Sequence, residues 1–153
     1  MMDMVTQLIM ALFATLGFAV IFRVPAKDLV ACVLVGVLGW FTYLVAESYM
    51  GSPSIGCFLG ACMVGLCSAI AARLFREAMT IFIIPGILCL VPGARIFYTM
   101  EALLTGEIDK MAQVGAETLT MAGAIAMGLL VMGAINNIIA ALVTKTITIK
   151  DKL

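Results

Sequence analysis

Residues 118–144 read TLTMAGAIAMGLLVMGAINNIIAALVT, a run without a single Asp, Glu, Lys or Arg. A hydrocarbon core of roughly 30 Å takes about 20 helical residues to cross, so this stretch is long enough to span a bilayer. Four more charge-free runs precede it: Met4 to Phe22, Leu29 to Ala46, Ser48 to Ala72 and Ala78 to Ala94. None alternates with the period of two that marks a barrel strand, so each predicts a helix that satisfies its own backbone polar groups. The expected fold class is all-α: a polytopic membrane helix bundle forming a single transmembrane domain over residues 1–153. About five transmembrane helices are expected, over approximately 4–22, 29–46, 55–72, 78–100 and 118–144.

Composition points the same way. The chain has 153 residues, 64% of them hydrophobic and 12% charged, where a soluble domain is nearer half apolar and a quarter charged. Five spans use up almost all of it and leave no room for a soluble catalytic domain. Nine Lys and Arg balance nine Asp and Glu, so there is no basic footprint for nucleic acid. The chain contains no His, the commonest general base and metal ligand. The reading is therefore not an enzyme and calls for no cofactor and no metal; transport, conduction or scaffolding in the lipid bilayer remain.

Charges between the spans set the orientation. Arg23 and Lys27 follow the first span, Arg73 and Arg76 the third, and Lys145, Lys150 and Lys152 close the chain, while no basic residue lies between Glu47 and Ser54. By the positive-inside rule the N-terminus is outside and the C-terminus inside. The connection from Glu101 to Glu117 has four acidic residues against Lys110 and so falls outside, where a stripe of Leu104, Ile108, Met111 and Gly115 suits an amphipathic outer segment. A solvated connector is the alternative there. The Met-Met-Asp start lacks the basic flank and cleavage site of a removable signal peptide.

Smaller features are mostly structural. Pro25 and the Gly51-Ser52-Pro53 cluster read as turns. Gly56-xxx-Gly60 and Ala61-xxx-Gly65 in the third span, with Gly123, Gly128 and Gly133 in the last, give two smooth helix faces, serving either this bundle or another chain. Cys57, Cys62 and Cys67 recur every five residues and so do not share a helical face; with Cys32 and Cys89 they read as small packing residues. The 12 Met form no Met-xx-Met or Met-xxx-Met cluster in the spans that would argue for soft-metal transport.

The chemistry concentrates in residues 81–98, IFIIPGILCLVPGARIFY, where Pro85-Gly86 and Pro92-Gly93 stand seven residues apart. Each pair removes a backbone donor and adds flexibility, predicting a fourth helix broken around mid-depth. Irregular backbone within a membrane is tolerated where it is buried in protein or lines a wet cavity, and such breaks build the substrate sites of secondary transporters. Arg95 follows at once, a planar fork suited to a carboxylate or, alternatively, an anchor snorkelling to the interface. Asn136 and Asn137 lie deep in the last span, as substrate contacts or as hydrogen-bonding glue between helices. The candidate substrate-binding set is Pro85, Gly86, Pro92, Gly93, Arg95, Asn136 and Asn137.

With these residues in place, the chain resembles the small five-span subunit of the threonine/serine exporter family, the YjjB-like proteins, also found as the second membrane half of fused exporters. The resemblance runs over nearly the whole chain. It is carried by FAVIFRVPAKDLVACVLVGVLGW at residues 18–40, with its Gly-x-x-Gly-Trp, and more specifically by IPGILCLVPGARIFYTMEALLTGE at residues 84–107. It implies export of small amino acids or small dicarboxylates across the cytoplasmic (inner) membrane. It also implies a partner, a larger five-span subunit with a cytosolic N-terminal domain. Two halves with odd span counts joined in tandem must be oppositely oriented, which resembles an inverted-topology repeat with its site at the repeat interface. Glu107 stands where the larger half tends to have Asp. A homo-oligomer, an oligomeric channel and a non-transporting scaffold subunit are the competing readings. The orientation is directly testable: a reporter active only in the cytoplasm is expected to be active when fused after Leu153 and silent after Gly51, and the opposite pattern refutes the inverted arrangement.

Overall fold

The computed structural model describes residues 4–150, with side-chain surroundings described through residue 139 and at 141. The Met-Met-Asp start and Lys152 lie outside the described residues, as do the side chains of Lys145 and Lys150. The described residues form six helices and no strand: α1 (Met4–Ile21), α2 (Leu29–Met50), α3 (Pro53–Phe75), α4 (Thr80–Leu88), α5 (Gly93–Leu104) and α6 (Ile108–Lys150). Four are long and apolar enough to cross a membrane, and α4 with α5, bent by 51°, makes a fifth if the pair is one span. A polytopic helix bundle is what the charge-free runs predict.

The helix ends follow from local chemistry. Gly51 takes a left-handed conformation (φ 63°) after α2, and Pro53 opens α3 at a position where its missing N–H costs nothing. At three other ends a left-handed residue is followed by an N–H that reaches back five residues: Val24 to Ala19, Glu77 to Ala72 and Glu107 to Ala102. The left-handed residue is Gly106 in the last but Arg23 (φ 55°) and Arg76 (φ 57°) in the others. These two arginines accept a conformation that costs a non-glycine residue about 1–2 kcal/mol. At the same end, Lys27 Nζ donates to Glu77 Oε1 at 2.5 Å, and this hydrogen bond raises the lysine above its ordinary value of 10.5.

Helix α2 is central, packing on α1, α3 and α4, while α6 lies along α3 and α5 along α6. Small residues make up much of the interior and large ones much of the outside: Ala11, Ala19, Cys32, Cys57, Ala61 and Ala71 are buried around Phe82 and Val64, whereas Phe13, Ile21, Leu74 and Leu119 are exposed. In lipid the outside is as apolar as the inside, so small residues gain by letting backbones approach, and large ones face the acyl chains. A Cβ on Gly36 would meet Thr15 Oγ1 at 2.3 Å, one on Gly39 would meet Val64 Cγ2 at 2.4 Å, and one on Gly60 would lie 3.0 Å from the Gly39 carbonyl oxygen. The small face of α3 is thus consumed within the bundle. That of α6 is divided: Gly128 presses on the Phe58 carbonyl, whereas Gly123 and Gly133 face open space.

The segment between Glu101 and Thr118 is neither a separate interfacial helix nor an open connector. It is the end of α5, a turn through Gly106, and the first turns of α6. The register explains its position. Ser54, in the first turn of α3, meets Thr120 at 3.3 Å, so α6 before Glu117 has no α3 beside it and pairs with α5 instead. Over 43 residues α6 is about 65 Å long, twice the hydrocarbon thickness.

Asp28, just before α2, is fully buried, and neither carboxylate oxygen has a hydrogen-bond partner among the described residues. Its carboxyl group lies at the N-terminal end of α2, where the opening N–H groups of the helix are.

The two glycine environments of α6 separate in a melting experiment on purified protein followed by far-ultraviolet circular dichroism. In Gly128→Ala the new Cβ would lie 2.7 Å from the Phe58 backbone oxygen, which cannot rotate away, so a loss of about 1–3 kcal/mol is expected. Gly123→Ala meets nothing within 4 Å and is expected to be neutral or stabilising by about 0.5–1 kcal/mol.

Candidate functional site

The two Pro-Gly pairs have different fates. Pro85 lies inside α4 and does not unwind it, and Gly86 is helical beside it. The expected unwound segment therefore contracts to the second pair. The reason lies in the packing: Pro85 has no N–H for the Ile81 carbonyl, and the Cys32 thiol of α2 donates to that oxygen instead, at 3.4 Å. Gly86 admits Val35, whose Cγ1 would be 2.9 Å from an added Cβ. This pair fits α4 against α2.

The break comes after Leu88. Leu90 N donates to Ile87 O at 2.9 Å and Gly93 N to Val91 O at 2.8 Å, and Pro92, at φ −76° and ψ 59°, redirects the chain into α5. Gly93 is its first residue, with open space where a Cβ would point. The opening N–H groups of a helix have no carbonyl within it, so the positive end of α5 is presented at the break.

Cavities flank the break. One of about 200 Å³ is lined by Trp40, Tyr43, Gly93, Arg95 and Met121 together with the break residues. A second, about 520 Å³, lies on the α1 side against Gln7, Met10, Ala11 and Ala14. Trp40 and Cys89 line both. A third, about 290 Å³, continues from Arg95 and Met121 toward Ser54, Glu117 and Thr120. Cys89 is held toward α1 by Thr15 Oγ1, 3.0 Å from its sulfur. Trp40 stacks on Tyr43 with ring centroids 4.9 Å apart.

Arg95 Nη1 forms a salt bridge with Glu117 Oε2 of α6, and the guanidinium stays partly exposed. Pro92, Gly93 and Arg95 therefore share one region. Asn136 is elsewhere: its Oδ1 accepts from Arg73 Nη2 at 2.7 Å, near the end of α3, and its Nδ2 approaches Met79 Sδ at 3.8 Å. Nineteen residues separate it from Glu117, about 28 Å along α6. Asn137 is exposed.

Glu117, Trp40, Tyr43 and Cys32 are the residues that sequence reasoning did not select. Only Trp40 carried a signal, in its Gly-x-x-Gly-Trp context: Gly36 and Gly39 seat α2 against α1 and α3 and so fix where the next side chain sits.

Residues 7–135 match the family described as Threonine/Serine exporter, ThrE. No curated protein and no solved structure gives a significant match. The match takes in every helix, from the first turns of α1 to the α6 segment packed on α3, and includes the whole break region. A bundle with a small-residue interior, large apolar side chains on its outside and a helix broken beside a cavity thus belongs to the threonine/serine exporter family of multi-pass membrane transport proteins.

Proposed function

We propose that this chain is one half of a secondary transporter that exports small amino acids of the threonine/serine type, or small dicarboxylates, across the cytoplasmic membrane. Proteins of this family often work with a partner subunit, and here the partner is a larger five-span subunit of opposite orientation. The single observation carrying the reading is the break at residues 89–92, which opens beside a cavity bordered by Arg95 and the start of α5. A guanidinium and a helix N-terminus both favour a carboxylate, the group that amino acids and dicarboxylates share.

In this reading Glu117 occupies Arg95 while the site is empty, and the substrate carboxylate takes its place. Exchange of one carboxylate for another keeps the guanidinium paired, and the displaced Glu117, about half exposed, is left to solvent. Pro92 and Gly93 shape the opening. Pro85 and Gly86 act from behind it, setting α4 on α2. Asn136 and Asn137 belong to the opposite, cytoplasmic end, with N-terminus outside and C-terminus inside.

The exchange makes opposite predictions for its two partners. In cells expressing both subunits, Glu117→Gln is expected to lower the substrate concentration for half-maximal flux, because the competing carboxylate is gone. Arg95→Gln is expected to raise it at least tenfold, with Arg95→Lys intermediate because the bidentate fork is lost. If the pair only ties α5 to α6, both neutral variants reduce protein abundance alike and leave the concentration dependence unchanged.

Gly93→Leu tests the cavity itself. No atom lies within 4 Å of the added Cβ, so insertion and abundance are expected to be normal while flux falls by at least tenfold. Normal flux in that variant would reduce the break to a bend that shapes the bundle.

A further inference from the structure

Trp40 stands midway along α2, level with the break, and its indole Nε1 is buried without a hydrogen-bond partner among the described residues. A desolvated donor left unpaired is costly, and phenylalanine would fill the place and stack on Tyr43 without that cost. The indole is also where the cavities meet: with Cys89 it partitions the break cavity from the one on the α1 side. Outward from there the path runs past Arg95 toward Ser54 and Glu117.

We infer that the Trp40 N–H is a substrate donor at the inner end of this path, uncovered when the Trp40–Cys89 partition shifts. The inference rests on the transport reading above and deepens it. A ligand held by Arg95 through one carboxylate then needs a second oxygen acceptor to meet the indole. The chemical class is a small acid with an additional hydroxyl or carboxylate, rather than one with an apolar side chain. On its α1 side the partition is held by sulfur contacts of Cys89, to Thr15 at 3.0 Å and to the Ala11 carbonyl at 3.7 Å.

Trp40 is the sole tryptophan of the chain, so its emission reports this position alone. The wild-type chain in lipid nanodiscs is titrated with L-serine, L-threonine, succinate and L-alanine. In parallel, the four compounds compete with labelled L-threonine for flux in membranes holding both subunits, for wild type and Trp40→Phe. Emission is expected to shift and saturate with serine, threonine or succinate and to stay unchanged with alanine. Trp40→Phe is expected to raise the half-inhibiting concentration of the oxygen-bearing compounds about tenfold while leaving that of alanine unchanged. Silent emission at saturating serine, or an equal loss for serine and alanine, overturns the role of Trp40, and intact wild-type flux beside either result leaves the transport reading standing. Absent flux with a saturable serine-dependent emission shift does the reverse: the Trp40 site holds and the transport reading falls.

Discussion

The close approach of α2 to its neighbours through glycine is the constraint on which the rest of this bundle depends. Gly36 receives Thr15 of α1, Gly39 receives Val64 of α3, and Gly60 sits under the Gly39 carbonyl. In water such contacts would be reinforced by expelling solvent from apolar surface. In lipid that force is absent between helices, and association relies on dispersion contacts that decay steeply with distance. A side chain at any of these positions would separate the helices by more than the contact can tolerate. Because Gly36 also lies beside Gly86 of α4, the same surface fixes the first half of the broken helix.

The two Pro-Gly pairs differ in what is packed against them. The first Pro-Gly pair leaves α4 intact, since a thiol from α2 takes over the carbonyl that Pro85 abandons and Val35 fills the space that Gly86 leaves. The second pair has no such support and turns the chain by 51°. Two identical dipeptides seven residues apart thus act differently because only one is packed against a neighbour able to compensate. Trp40, Tyr43 and Arg95 come together at the unsupported one.

Charge is arranged by depth. Arg23, Lys27, Arg73, Arg76 and Glu77 gather where α1 and α3 end, and Arg73 reaches the Asn136 amide there. Arg95 and Glu117 meet at the other end, and α5 with the first turns of α6 carries Glu101, Glu107, Asp109 and Lys110 beyond it. Between these two layers the interior is apolar apart from scattered polar groups, of which Thr15 bonds to Ala11 O of its own helix.

The sequence by itself determined the membrane class, the number of apolar runs, the turns at Pro25 and Gly51–Pro53, and the location of the break region, because each depends on composition or on the intrinsic geometry of one or two residues. The family was legible for the same reason, in the dipeptides and spacings of residues 84–107. Only tertiary structure decided which Pro-Gly pair unwinds, that Arg95 faces Glu117, that Asn136 answers Arg73 and not Arg95, and that Trp40 borders the cavity. Each of these depends on the register of helices remote in sequence. Glu117 and Asn136 lie on one uninterrupted helix, yet the 1.5 Å rise per residue sends them to opposite ends of the bundle, which no local pattern reveals until α3 is laid beside α6.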